Sequence, residues 1–140
     1  MSVFFNIEKA LADAVDSLNL SCPVGKFGVE LTDEEKGDGI WVQPHHMPGP
    51  VTPVTCGYNG ENNHSGILQI DICYPIGQGS GILLKQADEI AKHFQSGDKV
   101  SYDGQVVNVR SCSLSLPIES GGFRKQFLTI VYYARSVRHT

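Results

Sequence analysis

Residues 66–75, GILQIDICYP, alternate with period two. Leu68, Ile70, Ile72 and Tyr74 fall on one side of an extended chain, and Gln69, Asp71 and Cys73 fall on the other. That pattern buries one face of a strand, as in an antiparallel sheet covered on one side only. Two segments of helical period supply the cover. Ile7, Leu11, Val15 and Leu18 form one apolar stripe, with Ala10 and Ala14 beside it and Glu8, Lys9, Asp13 and Asp16 turned away. Leu83, Ala87, Ile90, Ala91 and Phe94 form a second and fuller one. The expected fold is α+β: a mainly antiparallel or mixed sheet with two α-helices packed on one face.

The expected order is helix, β-region, strand, helix and three strands. Phe27, Val29 and Leu31 alternate and predict a short strand. TDEEKGDG, residues 32–39, predicts a polar turn. A short strand at 40–43 carries the single tryptophan, Trp41, and is expected to end at Pro44 or lie at an edge. Pro48, Pro50 and Pro53, followed by YNGENNHSG, predict a long loop over 45–66 with one short strand near Val54. In the second helix Asp88 and Lys92 are placed to pair, Ser80 to cap the start and Gly97 to follow the end. Asp103-Gly104 is a two-residue hairpin signal between the strands of Tyr102 and Gln105. Val107 and Val109 are expected on one face of the returning strand, and Arg110 and Cys112 on the other. Residues 117–122 read as a connector. QFLTIVYYA, residues 126–134, is apolar on both sides, which fits a central strand or one whose second face another subunit covers. The chain after Arg135 reads as a basic arm. No repeat or boundary divides residues 1–140, so a single domain is expected.

The chain of 140 residues is long enough to bury a core without staples. It has no run of about 18 apolar residues, so no membrane span is expected. The N-terminal segment lacks the basic start of a secretion signal, and the four cysteines, Cys22, Cys56, Cys73 and Cys112, are expected as reduced thiols. A net charge of −4 disfavours generic binding of nucleic acid.

Gly77, Gln78, Gly79, Ser80 and Gly81 lie between a strand and a helix, where backbone N–H groups bind anions. The third glycine comes one position too early for GxGxxG, and no Lys-Ser/Thr pair follows, so a flexible turn is expected. His45, His46, His64, Cys56, Cys73 and Asp71 are zinc-compatible ligands without zinc spacing. Cys56 with His64 or His46 lacks any nucleophile signature. Asp33, Glu34 and Glu35 form a solvated turn, and Asp88 and Glu89 a polar helix face. Arg124-Lys125, and Arg135 with Arg138, read as strand-end charges beside Tyr132-Tyr133. No catalytic residue, metal ligand or cofactor is assigned.

Taken in order, IEKALADAV, IWVQP, SGILQIDICYPIGQGSG, QADEIAKHFQSG and VSYDGQVVNV resemble a family of phage proteins related to the tail terminators of long-tailed phages. The resemblance spans nearly the whole chain and rests on residues that carry the fold. It implies helices on one side of a mixed sheet, and a structural, non-enzymatic virion protein. It further implies copies that assemble as a hexameric ring, whether already in isolation or, from a monomer, only on the tube, which caps the tail tube protein and offers a surface to a head-completion or connector protein. Location in the virion tail, and in the host cytoplasm during assembly, follows, without a membrane or specific nucleic-acid partner. Gln69, Asp71 and Arg110 are the polar strand residues expected at an interface or lumen. The alternatives are a head–tail neck adaptor of similar fold, or a small nucleotide- or metal-binding protein using the Gly77–Gly81 turn.

Overall fold

The computed structural model describes residues 2–37, 39–77 and 81–139. In chain order the elements are α1 (Val3–Asp16), α2 (Asp33–Lys36), β1 (Trp41–Pro53), β2 (Glu61–Pro75), α3 (Gly81–Ala91), β3 (Lys99–Tyr102), β4 (Gln105–Leu114), β5 (Ile118–Ser120) and β6 (Phe123–Val137). The strands form one sheet in the order β1-β2-β6-β4-β3, with every pair antiparallel. β2 pairs with β6 along its whole length, while β4 and β5 lie end to end on the other edge of β6.

The periodicity explains this arrangement. Leu68, Ile70, Ile72 and Tyr74 of β2 share a face with Leu128, Ile130 and Tyr132 of β6 and with Val107 and Val109 of β4. That face packs on Ile7, Leu11 and Val15 of α1 and on Leu83, Ile90 and Phe94 in and beyond α3, all in one core. Each such aliphatic side chain contributes about 1.5–3 kcal/mol of burial. The expected α+β fold is the one observed, with α2 as a third, one-turn helix.

The structure corrects several local readings. The region expected as a loop over 45–66 is mostly sheet: β1 continues to Pro53 and β2 starts at Glu61, so the two form a long hairpin arm. The prolines are tolerated because β1 is an edge strand. Val42 directs its N–H to Pro23 and its carbonyl to Gly25, away from β2. Pro44 and Pro48, at even spacing from Val42, therefore lack donors that would face outward in any case. A bulge between Pro48 and Val51 absorbs Pro50. The basic arm expected after Arg135 is instead part of β6 and its pinned end. Arg138 donates to the carbonyls of Glu61 and Thr55 at 3.0 and 2.7 Å and to Asn62 Oδ1 at 2.9 Å.

Phe27, Val29 and Leu31 form no strand. Gly28 has φ 73°, and the segment makes only isolated bridges. Residues 32–36 fold into α2 because Thr32 and Glu35 complete a capping box, with the Glu35 N–H donating to Thr32 Oγ1 and the Thr32 N–H to Glu35 Oε1. Lys92 pairs with Glu89 at 3.3 Å rather than with Asp88. α3 ends at Ala91, so Gly97, at φ 93°, does not follow the helix directly and instead donates to the Val109 carbonyl. Ser80 lies outside the described residues. Asp103 and Gly104, at φ 49° and 81°, make the expected hairpin turn. Residues 118–120 of the expected connector are strand β5, joined to β6 through Gly121 and Gly122. Cys112 lies on the core face, not beside Arg110, because a bulge between Val109 and Ser111 reverses the alternation.

Candidate functional site

The helices leave the second sheet face open except at one corner. There the 26–36 segment folds over β1: Gln43 Nε2 donates to the carbonyls of Lys26 and Val29 at 2.8 and 3.3 Å, and Lys36 Nζ lies 4.4 Å from the centre of the Trp41 ring. A side chain at Gly25 would displace the Gln43 amide from this corner, because a Cβ would lie 2.6 Å from Gln43 Cδ. Antiparallel register sets the rest of the face in rows. Met47, Ile67 and Val131 form one row, His45, Gln69 and Thr129 the next, and Gln43, Asp71 and Phe127 the third. Ile67, Phe127, Val131 and Tyr133 are only half-buried, and Met47 is exposed.

Asp71 is the electrostatic centre of this face. Its side chain is 9% exposed, and three neighbours on the same face hold it. His45 Nε2 lies 3.1 Å from Oδ2, Gln69 Nε2 donates to Oδ1 at 2.8 Å, and Lys125 Nζ lies 3.9 Å from Oδ2. A buried carboxylate needs such partners. Gln69 and Asp71 are thus brought together as the alternation of β2 requires. Arg110 stands apart. It is exposed and stacks on Tyr133, with its guanidinium carbon 4.9 Å from the ring centre. His45 and Lys125 complete the cluster and carried no signal by themselves. Only the pairing of β1 and β6 with β2 reveals them, and the prolines of β1 conceal that pairing in the sequence.

The other candidate groups are placed apart or engaged in structure. His46 ties α1 to the sheet: Nδ1 lies 2.9 Å from Glu8 Oε1 and Nε2 lies 2.6 Å from Tyr132 Oη. With the Nδ1–H donating to the carboxylate, Nε2 accepts the tyrosine O–H. Burial pushes the Tyr132 phenol up to about 12, so this chain keeps its proton and acts as a tether. His64 Nε2 lies 2.7 Å from Ser136 Oγ, and burial lowers its pKa. Cys56 is exposed at the tip of the arm, far along the chain's pairing from the ring of His46. Cys73 is buried, and burial pushes its thiol up to about 11. Among the described residues the cysteines are free, and no group of three or more His, Cys, Asp or Glu side chains is placed to hold a metal. Of the glycine-rich turn, Gln78, Gly79 and Ser80 lie outside the described residues. Arg124 pairs with Glu119 at 2.9 Å and Arg135 with Glu61 at 3.8 Å, so these cations serve strand ends.

An antiparallel sheet with helices on one face, and half-buried apolar side chains on the other, defines a sheet-dominated class of α+β protein. Comparison with known proteins narrows that class. The family model described as phage tail terminator protein matches residues 6–129, and the chain belongs to that family. It is therefore a structural protein of the phage tail. Among solved structures 17 chains match. One of them, whose name gives no function, has a TM-score of 0.69 at 20% identity, covering 94% of this chain and 92% of that one, and shows the shared fold. No curated protein matches the chain. Among the described residues no helix is long and apolar enough to cross a membrane.

Proposed function

We propose that copies of this chain assemble as a ring, hexameric by the family resemblance, on the end of the phage tail tube. The ring stops tube elongation and offers the surface to which the head-completion protein joins. Membership of the tail terminator family supports the tail role, and the open sheet face is the observation that carries the assembly. Ile67, Val131 and Tyr133 are neighbouring half-buried apolar side chains on this face, with Phe127 beyond the row of Gln69 and Thr129. A second subunit laid on it would complete its burial. Gln69 and Asp71 then lie inside the contact or at its lumen edge, with Asp71 already held by His45 and Lys125, while Arg110 remains free to face a partner.

Negative-stain microscopy of purified protein mixed with tail tubes tests this. The expected result is a ring at one tube end and tubes that no longer grow when tube subunits are added. Tubes that stay uncapped and keep elongating overturn the proposal, and binding to the head connector alone would assign the protein to the neck.

A further inference from the structure

The open face carries an unanswered charge at one corner and its complement at the opposite corner. Alternation from the core-facing Val109 puts Arg110 on this face, just before the bulge at Val109/Ser111, and it lies over Tyr133. Among the described residues, no carboxylate lies within ion-pair distance of Arg110. Beside it runs the apolar row of Val131, Ile67 and Met47. An exposed arginine stacked on tyrosine next to apolar rows has the composition of an interface anchor.

The complement lies on the 26–36 segment at the β1 edge. Glu30, Asp33 and Glu34 are exposed, and among the described residues none has a cation within ion-pair distance. Val29, in the same segment, is 63% exposed. One short stretch therefore offers both an apolar side chain and carboxylates, matching the apolar row and guanidinium. The two patches cannot meet within one chain. β2 and β6 stand between β1 and β4, a lateral separation of about 14 Å. A patch and its complement on opposite edges of the same chain make a head-to-tail contact, the kind that closes into a ring.

We propose that the acidic 29–34 segment of one copy docks on the Arg110–Tyr133 corner of the next, with Glu30 and Glu34 meeting Arg110 and Val29 meeting the Val131 row. The partner is a second copy of this chain, and the contact rests on the ring reading above. Its charged part weakens as salt rises, since exposed pairs are screened within about 8 Å at physiological ionic strength.

Charge exchange tests it on the full chain. Three proteins are compared with wild type: Arg110→Glu, the pair Glu30→Arg with Glu34→Arg, and all three changes together. Folding is verified by thermal unfolding. Self-association is measured by light scattering of concentrated protein, and ring formation by microscopy on tail tubes. Each reversal alone is expected to raise the concentration needed for assembly at least about tenfold, and the combined protein to recover to within about threefold of wild type. Reversals that assemble like wild type, or a combined protein that fails to recover, overturn this contact while leaving the ring in place. Wild-type protein that never associates, free or on tubes, removes the ring and this contact together.

Discussion

Gly66 and Tyr132 are cross-strand partners in β2 and β6, and the tyrosine ring lies across the space a side chain at 66 would fill. A Cβ there would sit 2.6 Å from Tyr132 Cζ, and the ring cannot retreat because His46 holds its hydroxyl. Gly66→Ala is expected to destabilise the protein by about 1–3 kcal/mol, measured by denaturant unfolding. Cys73 gives a second residue-scale test. Burial holds its thiol well above the ordinary 9.0, at about 11. The folded state thus retains the proton more tightly than the unfolded chain. Its contribution to stability is full below the unfolded value and lost as pH rises through the folded one. Stability is expected to fall between 9.0 and about 11, and Cys73→Ala to flatten that fall. At neutral pH a thiol reagent should label exposed Cys56 at once and Cys73 only on unfolding. The side of the strand on which Cys73 and Asp71 sit was legible from alternation alone. What holds Asp71 was not, because His45 and Lys125 reach it from two other strands and no local pattern records such pairings.

The β1–β2 arm shows at the level of elements how edge position overrides propensity. Its prolines and its asparagine- and glycine-rich stretch read as loop, yet they occupy a strand whose outer donors are not needed and a strand tied along its other side to β6. By contrast β2, α3 and the Asp103-Gly104 hairpin were legible because local pattern and tertiary setting agree there. The bulge that returns Cys112 to the core was not, since one extra residue leaves no compositional mark. Two side chains secure the arm, and each makes a prediction. Arg138→Ala removes the donors to the Glu61 and Thr55 carbonyls and is expected to cost about 1.5–3 kcal/mol, with proteolysis appearing first at residues 54–60. His64 is penalised by burial in its charged form, so its folded pKa lies below the ordinary 6.5. The stability it allows is present above that value and lost as pH falls below it. Hydrogen-exchange protection of residues 61–66, corrected for the intrinsic pH dependence of exchange, should therefore fall as pH drops below 6.5, and His64→Gln should remove that fall.

At the scale of the whole molecule, the two faces of the sheet divide its tasks. One is closed by α1 and α3, and the sequence declared that division through its two apolar stripes. The other is open, and QFLTIVYYA announced it by being apolar on both sides. A single chain's pattern records that this face is apolar and carries no information on what, if anything, covers it. The β1 edge limits which contacts are available. Pro48→Thr restores an outward donor on an exposed edge residue and is expected to raise non-specific association, seen as turbidity growing with concentration. The shape of the sheet also bears on mechanics. β2 and β6 are joined over fifteen consecutive residue pairs, a beam about 50 Å long. Tension along that axis loads the hydrogen bonds of the ladder together in shear, whereas tension across it peels them one after another. A single long ladder of this kind is expected to resist a pull along its strands far better than one that pries them apart, which force spectroscopy with handles along or across β2 and β6 would measure.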